Sequence, residues 1–383
     1  GSWSADAVSL PQQAAAGGGA WVQLPRQHGI CSVPLRREPG LASCAAEPRQ
    51  AVVITPLGAG AWRVGNGLIE LDVSAAGLLA LRDRDGRDQL SSSLQLERYR
   101  DRDEFWDAWD LAADYRSQPL GVLCTDSLEW LDQGPLVAHL VLRRQLGASC
   151  MRLDLRLKAD TPWLELICGI DWRQTHELLR LELPLATPAV RIAADTSGGV
   201  IERPAAPMTA REQARWEVPV ISWFASQSAA PGGGMAVLLD GPQGVDWSSD
   251  RLGISLLRGP TWPDPSADQG WHRQRLALMP FAGSWSDAGV SQAAIAFREP
   301  GWCADLPAEQ RQWFPSLPLP LTPVGLERHA DGCVLKLLNS GSARCRWTPG
   351  AGWRVRREAD LMSASAVVIT PGELVSLVVD QSS

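Results

Sequence analysis

Alternation of apolar and polar residues is the dominant pattern along the chain. In Met151 to Lys158, four apolar side chains alternate with four charged ones, as a strand with one buried face requires. Similar runs recur at 68–73, 136–143, 235–239, 254–257, 333–338 and 374–379. Thirty-five glycines and 28 prolines separate these runs, and apolar repeats at helical spacing end within about ten residues. The pattern predicts an all-β protein with large antiparallel sheets and long loops.

One short helix interrupts this pattern. Thr209 is followed three residues later by Glu212, which is the spacing of a capping box. We therefore predict a helix from Met208 to Arg215. No second helix is expected.

The length of 383 residues suggests roughly two to three domains. We expect a small N-terminal β segment at 1–60, a large β unit at 61–306, a linker at 307–323 and a small β-sandwich at 324–383. The linker is predicted because prolines within it cannot donate ladder hydrogen bonds. No internal repeat is present.

Charge and composition narrow the class of partner. The net charge of −7, without a basic block, argues against nucleic acid. No apolar run approaches the ~18 residues that span a bilayer, so no membrane partner is expected. The eight cysteines are scattered without a C-x-x-C pair, which favours free thiols in a reducing compartment, the cytoplasm. The five histidines lack metal-ligand spacing, so no metal site is assigned, and His139 is interpreted as structural.

Four stretches break the strand pattern with dense polar and aromatic residues, at 101–115, 169–180, 199–219 and 258–272. Loops on a rigid β scaffold commonly carry binding residues. The chain has 18 tryptophans against two tyrosines and five phenylalanines, and an indole ring suits the face of a pyranose. An isolated tryptophan is more often part of the core. For the loop tryptophans both interpretations stay open: Trp106, Trp109, Trp262 and Trp271.

The carboxylates in these loops have two interpretations as well. Asp107 and Asp110 are three residues apart, and a glycosidase needs two carboxyl groups about 5 to 9 Å apart, but many surface pairs satisfy that distance. Asp264, between two prolines, and Asp268 fit either a turn or a sugar-contacting loop. A mutarotase-type enzyme would need a histidine and a glutamate in one cleft. The neighbours His176 and Glu177 would point to opposite faces of a strand.

Taken in order, the loop motifs resemble the C-terminal half of bacterial glycoside hydrolase family 38 α-mannosidases. The most specific match is Leu256–Pro265, with 267–270 and His272 after it. The others are Leu94–Leu96 with Trp106–Asp110, Asp132–Pro135, Glu202–Pro204 with Ala214–Pro219, and the terminal runs Val334–Asn339 and Ile369–Val375. The resemblance covers nearly the whole chain.

This resemblance implies a galactose-mutarotase-like supersandwich flanked by small β-sandwich units. It also implies a parent enzyme that hydrolyses terminal α-mannosides with retention. In that family the nucleophilic aspartate and the zinc site lie in an upstream barrel half. Because no position here matches those motifs, we expect no catalytic residue and no cofactor in this chain. Its start resembles the middle of the family's first β segment, so the chain is expected to be an inactive fragment that completes the cleft.

The expected partners are an α-mannoside glycan and, within the same polypeptide, the catalytic barrel. An apolar face bared by separation from the barrel would favour association into oligomers. The alternative is a stand-alone, non-catalytic β module that binds carbohydrate or organises assembly. The residues expected to face the substrate or the cleft are Trp106, Asp107, Trp109, Asp110, Trp262, Asp264, Asp268 and His272.

Overall fold

The computed structural model describes residues 2–5, 8–25, 31–38, 46–102, 106–229, 232–299, 301, 311–312, 315–330, 332–358 and 364–381. Six of the 17 residues of the predicted linker lie outside these ranges, at 307–310 and 313–314. Cys44, Cys303 and His28 lie outside them as well.

Strands form most of the described chain. The strands of the N-terminal part are β1 Ser2–Ala5, β2 Val8–Ser9, β3 Gln12–Ala14, β4 Ala20–Val22, β5 Cys31–Ser32, β6 Arg36–Glu38, β7 Val53–Gly58, β8 Ala61–Gly65, β9 Glu70–Ser74 and β10 Gly77–Arg82. Those of the central part are β11 Gln95–Arg100, β12 Pro119–Val122, β13 Ser127–Gln133, β14 Val137–Leu146, β15 Ser149–Lys158, β16 Leu164–Trp172, β17 Glu177–Pro184, β18 Ala189–Thr196, β19 Gly199–Pro204, β20 Val218–Val220, β21 Trp223–Ser228, β22 Gly234–Leu239, β23 Gln243–Ser248, β24 Arg251–Leu257 and β25 Gly270–Phe281. Those of the C-terminal part are β26 Arg311–Gln312, β27 Leu321–His329, β28 Gly332–Asn339, β29 Cys345–Trp347, β30 Trp353–Arg357, β31 Val367–Ile369 and β32 Leu374–Gln381.

Two large antiparallel sheets dominate the molecule. One has nine strands in the order β13-β14-β15-β16-β25-β22-β21-β18-β19, and the other has six in the order β12-β11-β17-β24-β23-β20. A four-stranded sheet, β10-β9-β8-β7, contributes to the same apolar core. The prediction of an all-β protein with a large antiparallel sandwich is therefore confirmed. None of the described helices is both long and apolar enough to cross a membrane.

The alternation in β15 shows why the sheets pack as they do. Met151, Leu153, Leu155 and Leu157 are all buried in the main core. Their polar neighbours face the other side of the sheet, as period two requires. Asp154 on that outer face is also buried, and bonds from Arg152 and His139 to its carboxylate offset the cost of burying the charge. The sequence pattern thus predicted correctly which face of β15 packs on the main core. It did not predict that polar side chains on the opposite face are buried as well.

The described chain contains two α-helices and one turn of 3-10 helix, Tyr115–Ser117. Helix α1, Ala210–Gln213, begins at Thr209 with the predicted capping box, although it is shorter than predicted. Helix α2, Val290–Arg298, was not expected, so the prediction of a single helix is wrong. Its buried positions follow helical spacing and pack on the nine-stranded sheet: Val290, Ala293, Ala294 and Phe297.

The C-terminal strands form their own small core. The sheets β27-β28-β32-β30 and β29-β31 enclose Leu321, Leu337, Trp347 and Leu377. The division of the chain into four segments stays a prediction. Its proposed boundary after residue 60 falls in the turn between β7 and β8, which pair with each other.

Candidate functional site

Three exposed tryptophans meet where a first loop, at 106–114, approaches a second loop, at 258–269. Trp106, Trp109 and Trp262 are 61%, 65% and 52% exposed. The ring centroids of Trp106 and Trp109 are 5.9 Å apart, and that of Trp262 lies 6.5 Å from Trp106 and 5.1 Å from Trp109. We call these three rings the tryptophan platform. Large exposed aromatic surface of this kind is typical of a binding site rather than of a core.

Asp107 joins the two loops. Its Oδ2 accepts hydrogen bonds from the backbone N–H groups of Thr261, at 2.7 Å, and Trp262, at 3.1 Å, and lies 3.3 Å from the Thr261 hydroxyl. Burial raises the pKa of Asp107, but these hydrogen bonds and the nearby His176 outweigh it, so the pKa lies below its usual range. The ionised carboxylate thus positions Trp262 beside the other two rings.

A tight turn determines the backbone conformation of the first loop. Trp106 has a φ of 66°, and its carbonyl accepts from the amides of Trp109, at 2.7 Å, and Asp110, at 3.0 Å. The Asp110 carboxylate accepts from the next amide, that of Leu111, at 2.9 Å. Asp107 and Asp110 are therefore both bonded to backbone amides, which fixes the loop that carries the rings.

Arg258 connects further predicted residues to this loop. Its Nη2 donates to the Asp107 carbonyl at 2.9 Å, and its Nε donates to Asp101. Its backbone amide donates to Asp268 Oδ2 at 2.9 Å, and the Asp268 carbonyl accepts from His272 Nε2 at 2.9 Å. Asp268 has a φ of 60°. Both residues thus support the loop that presents Trp262.

His176 lies beneath the junction, and sequence reasoning did not place it there. Its Nε2 is 3.2 Å from the Thr261 hydroxyl, and its Nδ1 is 3.6 Å from Asp107 Oδ1. His176 precedes β17 and has a φ of 52°, so the expectation that it lies within a strand is wrong. Glu177, the first residue of β17, accepts from Arg98 at 2.8 Å. The two neighbours thus bind different groups.

The third polar stretch reaches the same loop from another side. Trp216 Nε1 donates to the Leu111 carbonyl at 3.0 Å. The second and fourth stretches are joined by Gln269, whose side chain donates to the Gln174 carbonyl at 2.8 Å. All four stretches that the sequence singled out therefore converge.

A buried ion-pair network lies next to this site. Arg180 is fully buried and donates to Glu182 at 2.9 Å, to Glu217 at 3.2 Å and to Asp246. Arg116, just after the first loop, donates to Asp246 at 2.6 Å. Burial raises the pKa of Asp246, but the charge of Arg180 and bonds from other arginines prevail and lower it to about 2. Sequence pattern did not indicate this network, because Arg180 lies 37 residues from Glu217 and 66 from Asp246 along the chain.

The remaining predicted residues are placed differently. Asp264 is exposed and accepts from the amide and hydroxyl of Ser266, both at 2.8 Å, which forms a local turn and lowers its pKa. Trp271 is 69% exposed but lies on the outer face of the nine-stranded sheet, over Gly169. Within the described ranges, no group of three His, Cys, Asp or Glu side chains is arranged to hold a metal ion.

Sequence comparison identifies a family and several relatives of this chain. Residues 64–266 match the glycosyl hydrolases family 38 C-terminal domain. Human alpha-mannosidase 2C1 is 28% identical over 80% of this chain and 30% of its own length. Alpha-mannosidase G of Dictyostelium discoideum is 26% identical over 53% of this chain and 19% of its own. The chain thus spans less than a third of either relative.

A solved structure has a similar fold. The α-mannosidase of Enterococcus faecalis V583 superimposes with a TM-score of 0.66 over 87% of this chain and 43% of that protein, at 12% identity. The family model covers just over half of the chain, from β8 to the loop before β25. The chain therefore belongs to glycosyl hydrolase family 38, of which it carries the C-terminal domain.

Proposed function

We propose that this chain supplies one edge of the sugar-binding cleft of an α-mannosidase that hydrolyses terminal α-mannosides with retention. The support is the family, the names of its relatives and the presence of a rigid aromatic surface where four loops converge. The catalytic nucleophile and a zinc ion would belong to an upstream half of the enzyme. No step of the reaction is assigned to the residues of this chain.

The tryptophan platform carries the proposal. Indole faces pack against the C–H faces of a pyranose, and each N–H group can donate to a hydroxyl. Trp109 and Trp262 are nearly perpendicular, at 83°, so the two rings can contact different faces of one sugar or two adjacent sugars. Asp107 keeps Trp262 in this arrangement through backbone hydrogen bonds. We assign substrate contact to the three rings and positioning to Asp107, Asp268 and His272.

The test uses the full-length enzyme and an aryl α-mannoside. Trp109→Ala is expected to lower kcat/KM about tenfold, which corresponds to the loss of about 1.4 kcal/mol of transition-state binding. Leu374→Ala, which truncates an exposed apolar side chain in the C-terminal sandwich, is the control and should leave kcat/KM unchanged. An unchanged kcat/KM in Trp109→Ala would refute the assignment of this ring to the cleft.

A separate experiment tests whether catalysis belongs to the upstream half alone. The chain of 383 residues should not cleave the aryl mannoside. Cleavage that survives metal chelation and is lost in Asp107→Asn would place the catalytic carboxylate in this chain, and the proposal would be wrong.

The second candidate is a stand-alone module that binds carbohydrate without cleaving it. The exposure of the platform favours it equally, because three accessible rings suffice for binding. The coding sequence upstream of residue 1 separates the two. An open frame of several hundred codons with an H-x-D and a later H-H-D sequence supports the mannosidase, and a start codon near Trp3 supports the module.

We further propose a cytoplasmic location, with association through an apolar face. The free thiols at Cys124, Cys150, Cys168, Cys333 and Cys345 support a reducing compartment. Sedimentation of the chain across a range of concentrations tests the association.

A further inference from the structure

A second candidate sugar site lies on the outer face of the nine-stranded sheet. A groove of about 390 Å³ is lined there by residues of β15, β16 and β25, including Arg152, Asp154, Ile167, Trp271 and Arg273. None of the three platform tryptophans lines it. The groove is therefore a different surface from the tryptophan platform, although His272, which supports the platform loop through the Asp268 carbonyl, also lines it.

The register of the strands creates this groove. Gly169 on β16 pairs with Arg152 on one side and with Arg273 on the other. Paired residues are about 5 Å apart, so the two arginines flank a gap of about 10 Å where the central residue has no side chain. The Trp271 ring leans over this gap, since a Cβ on Gly169 would lie 3.9 Å from Trp271 Cζ3. Trp271 is 69% exposed, so one face of the indole is open to a ligand.

Two arginines beside the ring, Arg152 and Arg273, have donors that can contact an anion. Arg152 donates through Nε and Nη2 to Asp154, at 2.8 and 2.7 Å, which fixes the guanidinium and leaves Nη1 for a ligand. Arg273 is exposed and has no ion-pair partner within the described part of the chain. Arg156 also lines the groove, but its Nη1 lies 3.7 Å from Glu165 Oε2, so the positive charge open to a ligand comes from Arg273 and from Nη1 of Arg152.

We propose that this groove binds a pyranose that carries an anionic substituent. The sugar ring stacks on Trp271, and the phosphate or carboxylate lies between Arg152 and Arg273. Planar guanidinium groups bind both kinds of anion through paired hydrogen bonds. Such a site recognises a charged sugar at a place separate from the residues that contact the neutral mannoside.

Isothermal titration calorimetry tests the proposal on the 383-residue chain and on the full-length enzyme. The probes are mannose 6-phosphate, glucuronic acid, mannose and inorganic phosphate. At least one charged sugar should bind ten times more tightly than both mannose and inorganic phosphate, and this preference should decline as salt is raised. Comparison of the two charged sugars shows which anion the groove selects.

Three variants locate the binding. Trp271→Ala and Arg273→Gln, both at exposed side chains, should each weaken binding of the charged sugar at least tenfold, while Arg354→Gln in the C-terminal sandwich should not. Gly169→Val keeps every charge but fills the gap under the ring, and a β-branched residue suits a strand. It should abolish binding with an unchanged melting temperature.

Several outcomes would overturn the proposal. Equal affinity for mannose and its phosphate would remove the role of the arginines. Binding that resists all three variants would place the ligand elsewhere. Binding by the separate chain that disappears in the full-length enzyme would identify another part of the polypeptide as the natural occupant.

Discussion

Removal of the Asp107 carboxylate tests the structural logic of the platform. In Asp107→Ala the amides of Thr261 and Trp262 lose their acceptor. A hydrogen bond to a charged group contributes at least about 1.5 kcal/mol, which gives about 3 kcal/mol for the two bonds. The Asp107 side chain is 16% exposed, and water can reach the freed amides. We therefore expect the loop to lose about 2 kcal/mol of local stability.

Amide hydrogen exchange measures this loss directly. A change of about 2 kcal/mol corresponds to roughly a 30-fold increase in exchange of the amides at residues 261 and 262. The matched control is Asp110→Ala, since Asp110 accepts from Leu111 and not from the second loop. Exchange at 261 and 262 should be unaffected in that variant.

Two results would refute the reasoning. Unchanged exchange at 261 and 262 in Asp107→Ala would mean that the carboxylate does not hold the loop. An equal increase throughout the central strands β15 and β16 would mean that Asp107 stabilises the whole domain and that the loop is not an independent unit.

Three further predictions concern buried groups. The pKa of Asp246 is lowered in the folded state, so its ionised carboxylate stabilises the fold above pH of about 4, and this contribution should be lost as the pH falls towards 2. In urea denaturation, the free energy of unfolding should therefore decrease more steeply with falling pH in the wild type than in Asp246→Asn. Phe297→Ala should lower the free energy of unfolding by about 3 to 4 kcal/mol, because the ring is 2% exposed between α2 and the sheet; an effect under about 1 kcal/mol would contradict that packing. Arg144 is 5% exposed, and its Nε and Nη1 have no partner among the residues that the structure describes. Arg144→Met should therefore raise the melting temperature, through a gain of about 1 to 2 kcal/mol, and a decrease would reveal a partner for this guanidinium.

Local pattern predicted much of the fold. Alternation identified β15, β22, β28 and β32 because side chains of a strand reach the two faces in turn, which one short segment records. The capping box at Thr209 was confirmed for the same reason, since its bonds join residues three positions apart. Helix α2 was missed because it is only nine residues long and its buried face consists largely of small residues.

Prediction of the candidate site was less complete. Composition singled out the tryptophans of the loops, and Trp106, Trp109 and Trp262 are indeed exposed. It did not show that they meet, nor that Trp271 lies on a different face. His176 was not assigned to the site, because its contacts with Asp107 and Thr261 span 69 and 85 residues of chain.

The sequence by itself determined the family, the strands and the loops that carry polar and aromatic residues. Each of these features is encoded in the pattern of residues that are close together in the sequence, so it can be read without knowledge of the fold. Only the tertiary structure decided which loops meet, that Asp107 binds the backbone of the opposite loop and that Arg180 is buried among three carboxylates. Those relations depend on strand order within two sheets, where residues far apart in the chain become neighbours because of hydrogen-bond register and burial.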